Sequence, residues 1–306
     1  MSLDRLIDAI AQKNNPTVAG LDPTLDYVPA FVRQESYERL GQTPEGAADA
    51  ILTFNKALID ALYDIVPAVK PQCAFYELLG WPGVRALCDT IAYARQKGLF
   101  VITDGKRGDI GSTMSAYAAA HLGEVEIENV SFAPFGSDAL TVNGYLGSDG
   151  ILPLLAVCRE RDKGMFVLCK TSNPSSGELQ DQLIDGTPVY ERMGELCEQW
   201  GEDNISPRTG YSAVGAVVGA TYPEQLAVLR HMLPHTFFLV PGYGAQGGSA
   251  AAVAGAFDKQ GRGAVVNSSR AIMCAYKKTG DDRNYAEAAR QEALRMRNEI
   301  NQAVFG

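Results

Sequence analysis

The stretch FVITDGKRGDIGSTMSAYAAAHLG, residues 100–123, decides how the chain is read. It opens as a short apolar run with β-branched residues and closes as an alanine-rich helix, so it is one strand–helix unit. Between the halves, Asp104, Lys106, Arg107 and Asp109 put four charges into six positions. Alternate residues of a strand face the same way, which predicts Asp104 and Lys106 as neighbours on one side of the strand end. Asp109 follows across a turn at Gly108, near the start of the helix.

The same unit recurs outward in both directions. Apolar runs fall at TVAGLD (17–22), PAVKPQ (67–72), LFVITDGK (99–106), ALTVN (139–143), MFVLCKT (165–171), VGAVVGAT (214–221), TFFLVPG (236–242) and GAVVNSS (263–269). Continuous apolar strands suit a parallel sheet buried on both faces. Helical patterns lie at 45–64, 83–97, 111–122, 222–232 and 249–257, with a terminal helix at 281–304. Eight such units in 306 residues predict a (β/α)8 TIM barrel spanning 1–306 as one domain. An open doubly wound sheet is the alternative. Two segments break the rhythm. Residues 23–44 extend the first connection, and 172–212 form an insertion after the fifth strand that includes a helix near 187–201. A long loop at that end of a strand is a candidate lid or binding element.

Composition narrows the partners. The chain is 46% hydrophobic and 21% charged with a net charge of −9, which argues against nucleic acid or an anionic membrane surface as a partner. No apolar run approaches a membrane span. Leu3, Leu6, Ile7 and Ile10 follow helical spacing where a leader would have its apolar core, so no signal peptide is expected. The six cysteines form no CxxC pair and read as reduced, which predicts a cytoplasmic protein. His121, His231 and His235 fit neither a metal site nor a nucleophilic triad.

Two blocks carry chemistry. D-x-K-x-x-D sets Lys106 between Asp104 and Asp109 at a strand's C-terminal end, where parallel α/β folds build active sites. Lys70 ends the neighbouring strand. A salt-bridge cluster, or a helix cap by Asp109, is the plainer reading, but buried mixed charges are weak stabilisers. The second block pairs PGYGAQGGSA (241–250) with NSSRAI (267–272). Glycine turns opening onto helix N-termini favour an anion, and Arg270 can grip a phosphate with two hydrogen bonds. The loops after strands seven and eight are the usual phosphate site of such barrels.

VITDGKRGDIGST resembles the DxKxxDI signature of the orotidine 5′-phosphate decarboxylase family, in its longer bacterial subgroup. GLDP (20–23), VKPQ (69–72), LTVN (140–143), CKTSNPSSGE (169–178), VPGYGAQGG (240–248) and VVNSSRAI (265–272) extend the resemblance over most of the chain. The resemblance implies decarboxylation of orotidine 5′-phosphate to uridine 5′-phosphate, without metal or other cofactor. It makes Lys106 the proton donor, Asp104 the group facing the substrate carboxylate, and Lys70 and Asp109 their supports. It assigns Asp22 to ribose hydroxyls, Ser172 to the pyrimidine, Pro241 and Gln246 to the stretch from pyrimidine to phosphate, and Arg270 to the phosphate. Asp109, Ile110 and Thr113 are implied to reach a neighbouring subunit's site in a homodimer. The chain departs from the family at Ser269, where many members carry glycine. A magnesium-dependent sugar-phosphate enzyme of the same superfamily and a non-catalytic nucleotide-binding module are the alternatives.

Overall fold

The computed structural model describes residues 2–244 and 248–306. Eight parallel strands close into a barrel: β1 (Thr17–Leu21), β2 (Ala68–Pro71), β3 (Phe100–Arg107), β4 (Ala139–Val142), β5 (Gly164–Lys170), β6 (Val214–Val218), β7 (Phe238–Val240) and β8 (Ala264–Ser268). All eight expected strands are present, and β8 pairs with β1 through Thr17 and Val266, so the open-sheet alternative is excluded. The strands are buried along nearly their whole length, as parallel strands covered on both faces must be.

Two layers of apolar packing hold the barrel. The inner layer includes Val18, Phe100, Ile102, Phe166, Leu239 and Val265. Gly215 on β6 makes room for Phe166, because a Cβ there would meet its ring at 2.7 Å. Helix α1 (Ser2–Lys13) turns Leu3, Leu6 and Ile7 into this layer and plugs the N-terminal end. Each such side chain contributes about 1.5–3 kcal/mol by burial. Arg5 fixes the plug by donating to Asp138 at 2.8 Å. The outer layer packs the surrounding helices, from α3 (Pro44–Leu62) to α13 (Tyr285–Phe305), against the strands. One end of the barrel is therefore closed by hydrophobic side chains, and the other remains for a site.

Helix Ala30–Leu40 falls where the sequence pattern predicted only a connection, and helix Ser148–Arg161 lies outside the helical patterns read from the sequence. Two short hairpins also lack a sequence signal, Val125–Ile127 with Val130–Phe132, and Leu183–Ile184 with Thr187–Pro188. The segment after β5 holds a 3-10 turn at Pro174–Glu178, the second hairpin and helix α8 (Val189–Gly201). Among the described residues no helix is long and apolar enough to cross a membrane.

Candidate active site

A cavity of about 690 Å³ opens at the C-terminal end of the barrel. Of the sequence-derived candidates, Asp22, Lys70, Asp104, Lys106, Ser172, Pro241, Ser269 and Arg270 line it. The charged end is cross-bonded. Lys70 Nζ donates to Asp104 Oδ2 at 2.7 Å and lies 3.6 Å from Asp22 Oδ1. Lys106 Nζ donates to Asp104 Oδ1 at 2.6 Å, and the Thr141 hydroxyl donates to the same oxygen at 2.8 Å. Two ammoniums against two carboxylates make this array neutral within one chain. Burial alone would push the Asp104 carboxyl up, but Lys70 and Lys106 hold it well below the usual carboxylate range. Burial would likewise lower Lys70, yet Asp22 and Asp104 raise it, so both stay ionised.

Strand alternation is not what brings Lys106 to the cavity. Between Thr103 and Arg107, β3 has four steps where β4 has two, from Leu140 to Val142, so the strand bulges. Lys106 sits in this bulge in the left-handed region, at φ 46°. A non-glycine residue there costs on the order of 1–2 kcal/mol. The bond from its backbone N–H to Thr141 Oγ1, at 3.0 Å, holds the bulge in place. Thr141 thus fixes both the backbone of Lys106 and the carboxylate of Asp104. It stands in the LTVN block, and its inward strand position was the signal for it.

The opposite end is built from the turns after β7 and β8. Gly242 and Gly244 adopt positive φ, and the Gly248 N–H donates to the Gly242 carbonyl at 3.2 Å, closing the turn. Tyr243 anchors this turn to α13 by donating to Glu299 at 2.5 Å. Arg270 opens the short helix Arg270–Met273 and lines the cavity with Ser269. Serine is tolerated at 269 because residue 20 is glycine: a Cβ on Gly20 would lie 1.9 Å from Ser269 Oγ. Gln246 lies outside the described residues.

Asp109, Ile110 and Thr113 do not line this chain's cavity. Asp109 Oδ1 instead accepts the Ile110 N–H at 2.7 Å, beyond the Gly108 turn and just before helix α6 (Gly111–His121). It therefore does not support Lys106 or Asp104 within one chain, and Asp22 supplies the second negative charge. Sequence reasoning missed Thr141, Asn173, Gln180, Tyr243, Asn267 and Ser268 as lining residues. Asn267 and Ser268 belong to the NSSRAI block. Gln180 comes from the insertion, where nothing in the local pattern marks it. Among the described residues no three His, Cys, Asp or Glu side chains are grouped to hold a metal ion.

A closed (β/α)8 barrel with a lysine–aspartate array facing a glycine-and-arginine turn is a nucleotide- or sugar-phosphate-class barrel. The comparisons narrow the class. Residues 47–285 match the model of the orotidine 5′-phosphate decarboxylase / HUMPS family, and the chain belongs to that family. It is 46% identical over 297 residues to the orotidine 5′-phosphate decarboxylase of Rhodopirellula baltica, covering 95% of this chain and 96% of that one. It is 41% identical over 305 residues to that of Clostridium tetani, covering 99% of each. The solved structure of Leishmania donovani OMP decarboxylase superposes with a TM-score of 0.71 at 31% identity, covering 97% of this chain and 99% of that one.

Proposed function

We propose that this chain decarboxylates orotidine 5′-phosphate to uridine 5′-phosphate, the last step of de novo uridine 5′-phosphate synthesis. The observation that carries the reading is the cavity itself. Its Lys70–Asp104–Lys106 array and its Arg270 turn stand at two ends of one space, in a chain whose full-length relatives bear that name.

The substrate phosphate lies against Arg270 and the amides of the turns after β7 and β8. Asp22 takes ribose hydroxyls, and Ser172 and Pro241 border the pyrimidine. This arrangement delivers the C6 carboxylate to Asp104. The C6–carboxylate bond breaks, CO₂ leaves with no charge, and the electron pair stays on C6. The Lys106 ammonium stabilises that pair and then gives C6 its proton. At ~4 Å and an effective dielectric near 20, the Asp104–carboxylate repulsion is roughly 4 kcal/mol. At ~1.36 kcal/mol per decade, its relief supplies at most about three decades of rate. The remainder falls to electrostatic stabilisation by Lys106 and to positioning. Because Lys70 and Lys106 keep Asp104 ionised, the repulsive charge is present before substrate arrives.

The active unit is a homodimer. Leu78, Trp81, Ile110 and Tyr145 are all more than half exposed on the connections that follow β2, β3 and β4. These are apolar side chains of the kind a subunit interface covers. Asp109, Ile110 and Thr113, turned away from their own cavity, complete the partner's. The six cysteines are free thiols, as in a cytoplasmic protein.

The fall in pyrimidine absorbance on incubation with orotidine 5′-phosphate tests the reading. An inert protein that still binds uridine 5′-phosphate would be a binding module instead. The rival reading is a magnesium-dependent sugar-phosphate enzyme of the same superfamily. Activity that survives EDTA excludes a magnesium-dependent member of that kind, and loss in EDTA with recovery on Mg²⁺ would favour one.

A further inference from the structure

The insertion after β5 is held by an ion pair, with a buried lysine and a partly exposed aspartate, that the chemistry above does not use. Lys170, the last residue of β5, is completely buried. Its ammonium donates to Asp181 Oδ1 at 2.6 Å and lies between the Tyr222 and Tyr190 rings, 4.7 and 5.5 Å from their centres. Asp181 is the residue after Gln180, so the pair draws this part of the insertion down onto the barrel. The backbone seals the contact, since the Tyr190 N–H donates to the Gln180 carbonyl at 3.0 Å.

Gln180 then turns back to the cavity. Its Oε1 accepts the Thr171 N–H at 2.9 Å, and its Nε2 donates to Thr171 Oγ1 at 2.7 Å. A backbone N–H can only donate, so these bonds fix which end of the carboxamide is oxygen and which is nitrogen. Each end keeps one further hydrogen-bonding position, a lone pair on Oε1 and an N–H on Nε2. The adjacent Ser172 is pressed against Gly219, where a Cβ would lie 2.9 Å from it.

We infer that Gln180 is a specificity-determining residue that reads the imide edge of the substrate's pyrimidine, and that Lys170 and Asp181 are the positioning residues that aim it. The inference rests on the proposed placement of the ring beside Ser172. A uracil-type ring presents a carbonyl beside N3–H, and the second N–H of the oriented Nε2 can donate to that carbonyl. A cytosine-type ring presents an amino group there instead, and Thr171 prevents Gln180 from turning over to offer its oxygen. A site built around a fixed donor rejects the mismatched ring because its polar groups would then stay unpaired.

The test compares uridine 5′-phosphate, cytidine 5′-phosphate and ribose 5-phosphate as inhibitors of the full-length enzyme. In Gln180→Ala, uridine 5′-phosphate affinity and its preference over cytidine 5′-phosphate should each fall about tenfold, the scale of one lost hydrogen bond. Ribose 5-phosphate affinity should move less than about twofold. The KM for substrate should rise more than kcat falls. Lys170→Met should shift the same preference in the same direction but by less, and a Lys170→Met variant that loses only thermal stability would overturn the positioning role. If Ser172→Ala weakens uridine 5′-phosphate binding and Gln180→Ala leaves the preference intact, the inference fails while the ring placement stands. If neither variant affects nucleotide binding, the ring placement fails and takes the inference with it.

Discussion

The two ends of the cavity are built differently. At the β2–β3 end, both Asp104 oxygens are occupied by Lys70, Lys106 and Thr141. At the β8 end, Arg270 opens a short helix and lines the cavity beside Asn267, Ser268 and Ser269. The first end is thus a cross-bonded array of fixed charges, whereas the second offers a cation beside hydroxyl and amide side chains. The difference separates two tasks. Fixed charges aimed at the reacting bond need no reorganisation during the reaction. Groups that grip a distant phosphate convert binding free energy into placement of the substrate.

Removing Asp104 should break that contrast most severely. Asp104→Ala leaves Lys70 buried without its nearest counter-charge. Such truncations cost about 3–5 kcal/mol of stability, and turnover should vanish with them. Denaturant melts together with CO₂ release check both, and a variant of unchanged midpoint would mean that the array is not strongly coupled. At the other end, Arg270→Ala should act on capture. Losing a charged hydrogen-bonding group worth about 1.5–3 kcal/mol lowers kcat/KM by roughly one to two decades, chiefly through KM. An unaltered kcat/KM would remove Arg270 from the phosphate site.

The comparison sharpens across subunits. Mixing Lys106→Ala with Asp109→Ala chains under exchange should restore about a quarter of the sites, because each mixed dimer regains one intact site. Failure to recover activity after demonstrated exchange would place Asp109 outside the partner's cavity.

The smallest effect on turnover belongs to a residue remote from both ends. Burial, aided by the nearby Arg107 charge, pushes His121 down to about 4. Its ring stacks on Phe135 at 4.5 Å. The unfolded chain therefore binds a proton that the folded one refuses, and stability falls as pH drops from about 6.5 toward 4, by up to about 3 kcal/mol. His121→Phe should flatten that loss in melts recorded across the window and leave kcat alone. An unchanged slope would assign the acid sensitivity to other groups.

What could be read from the residues follows the same physics. The eight strands were legible because burial on both faces demands unbroken apolar runs, as in VGAVVGAT. The helix at Ser148–Arg161 was not, since Gly150 and Pro153 interrupt its pattern. The helix at Ala30–Leu40 buries only Val32 and Ser36, too little to leave an apolar stripe. In the site, Asp104 and Lys106 stood out as charges on a buried strand, although a bulge rather than alternation places Lys106. Asp109 was legible as part of the motif but not as a residue outside the lining of its own cavity. Gln180 was silent, because its position depends on Lys170 and Asp181 meeting across the insertion.

The central claim is that the pre-assembled end performs the chemistry and the opposite end the holding. The direct test is CO₂ release in a single turnover by Lys106→Ala enzyme saturated with orotidine 5′-phosphate, beside its dissociation constant for uridine 5′-phosphate. The account predicts a release rate lower by at least about three decades, the scale of a lost preorganised charge contact, with nucleotide affinity little changed. Near-normal release, or a loss explained wholly by weaker binding, would contradict it.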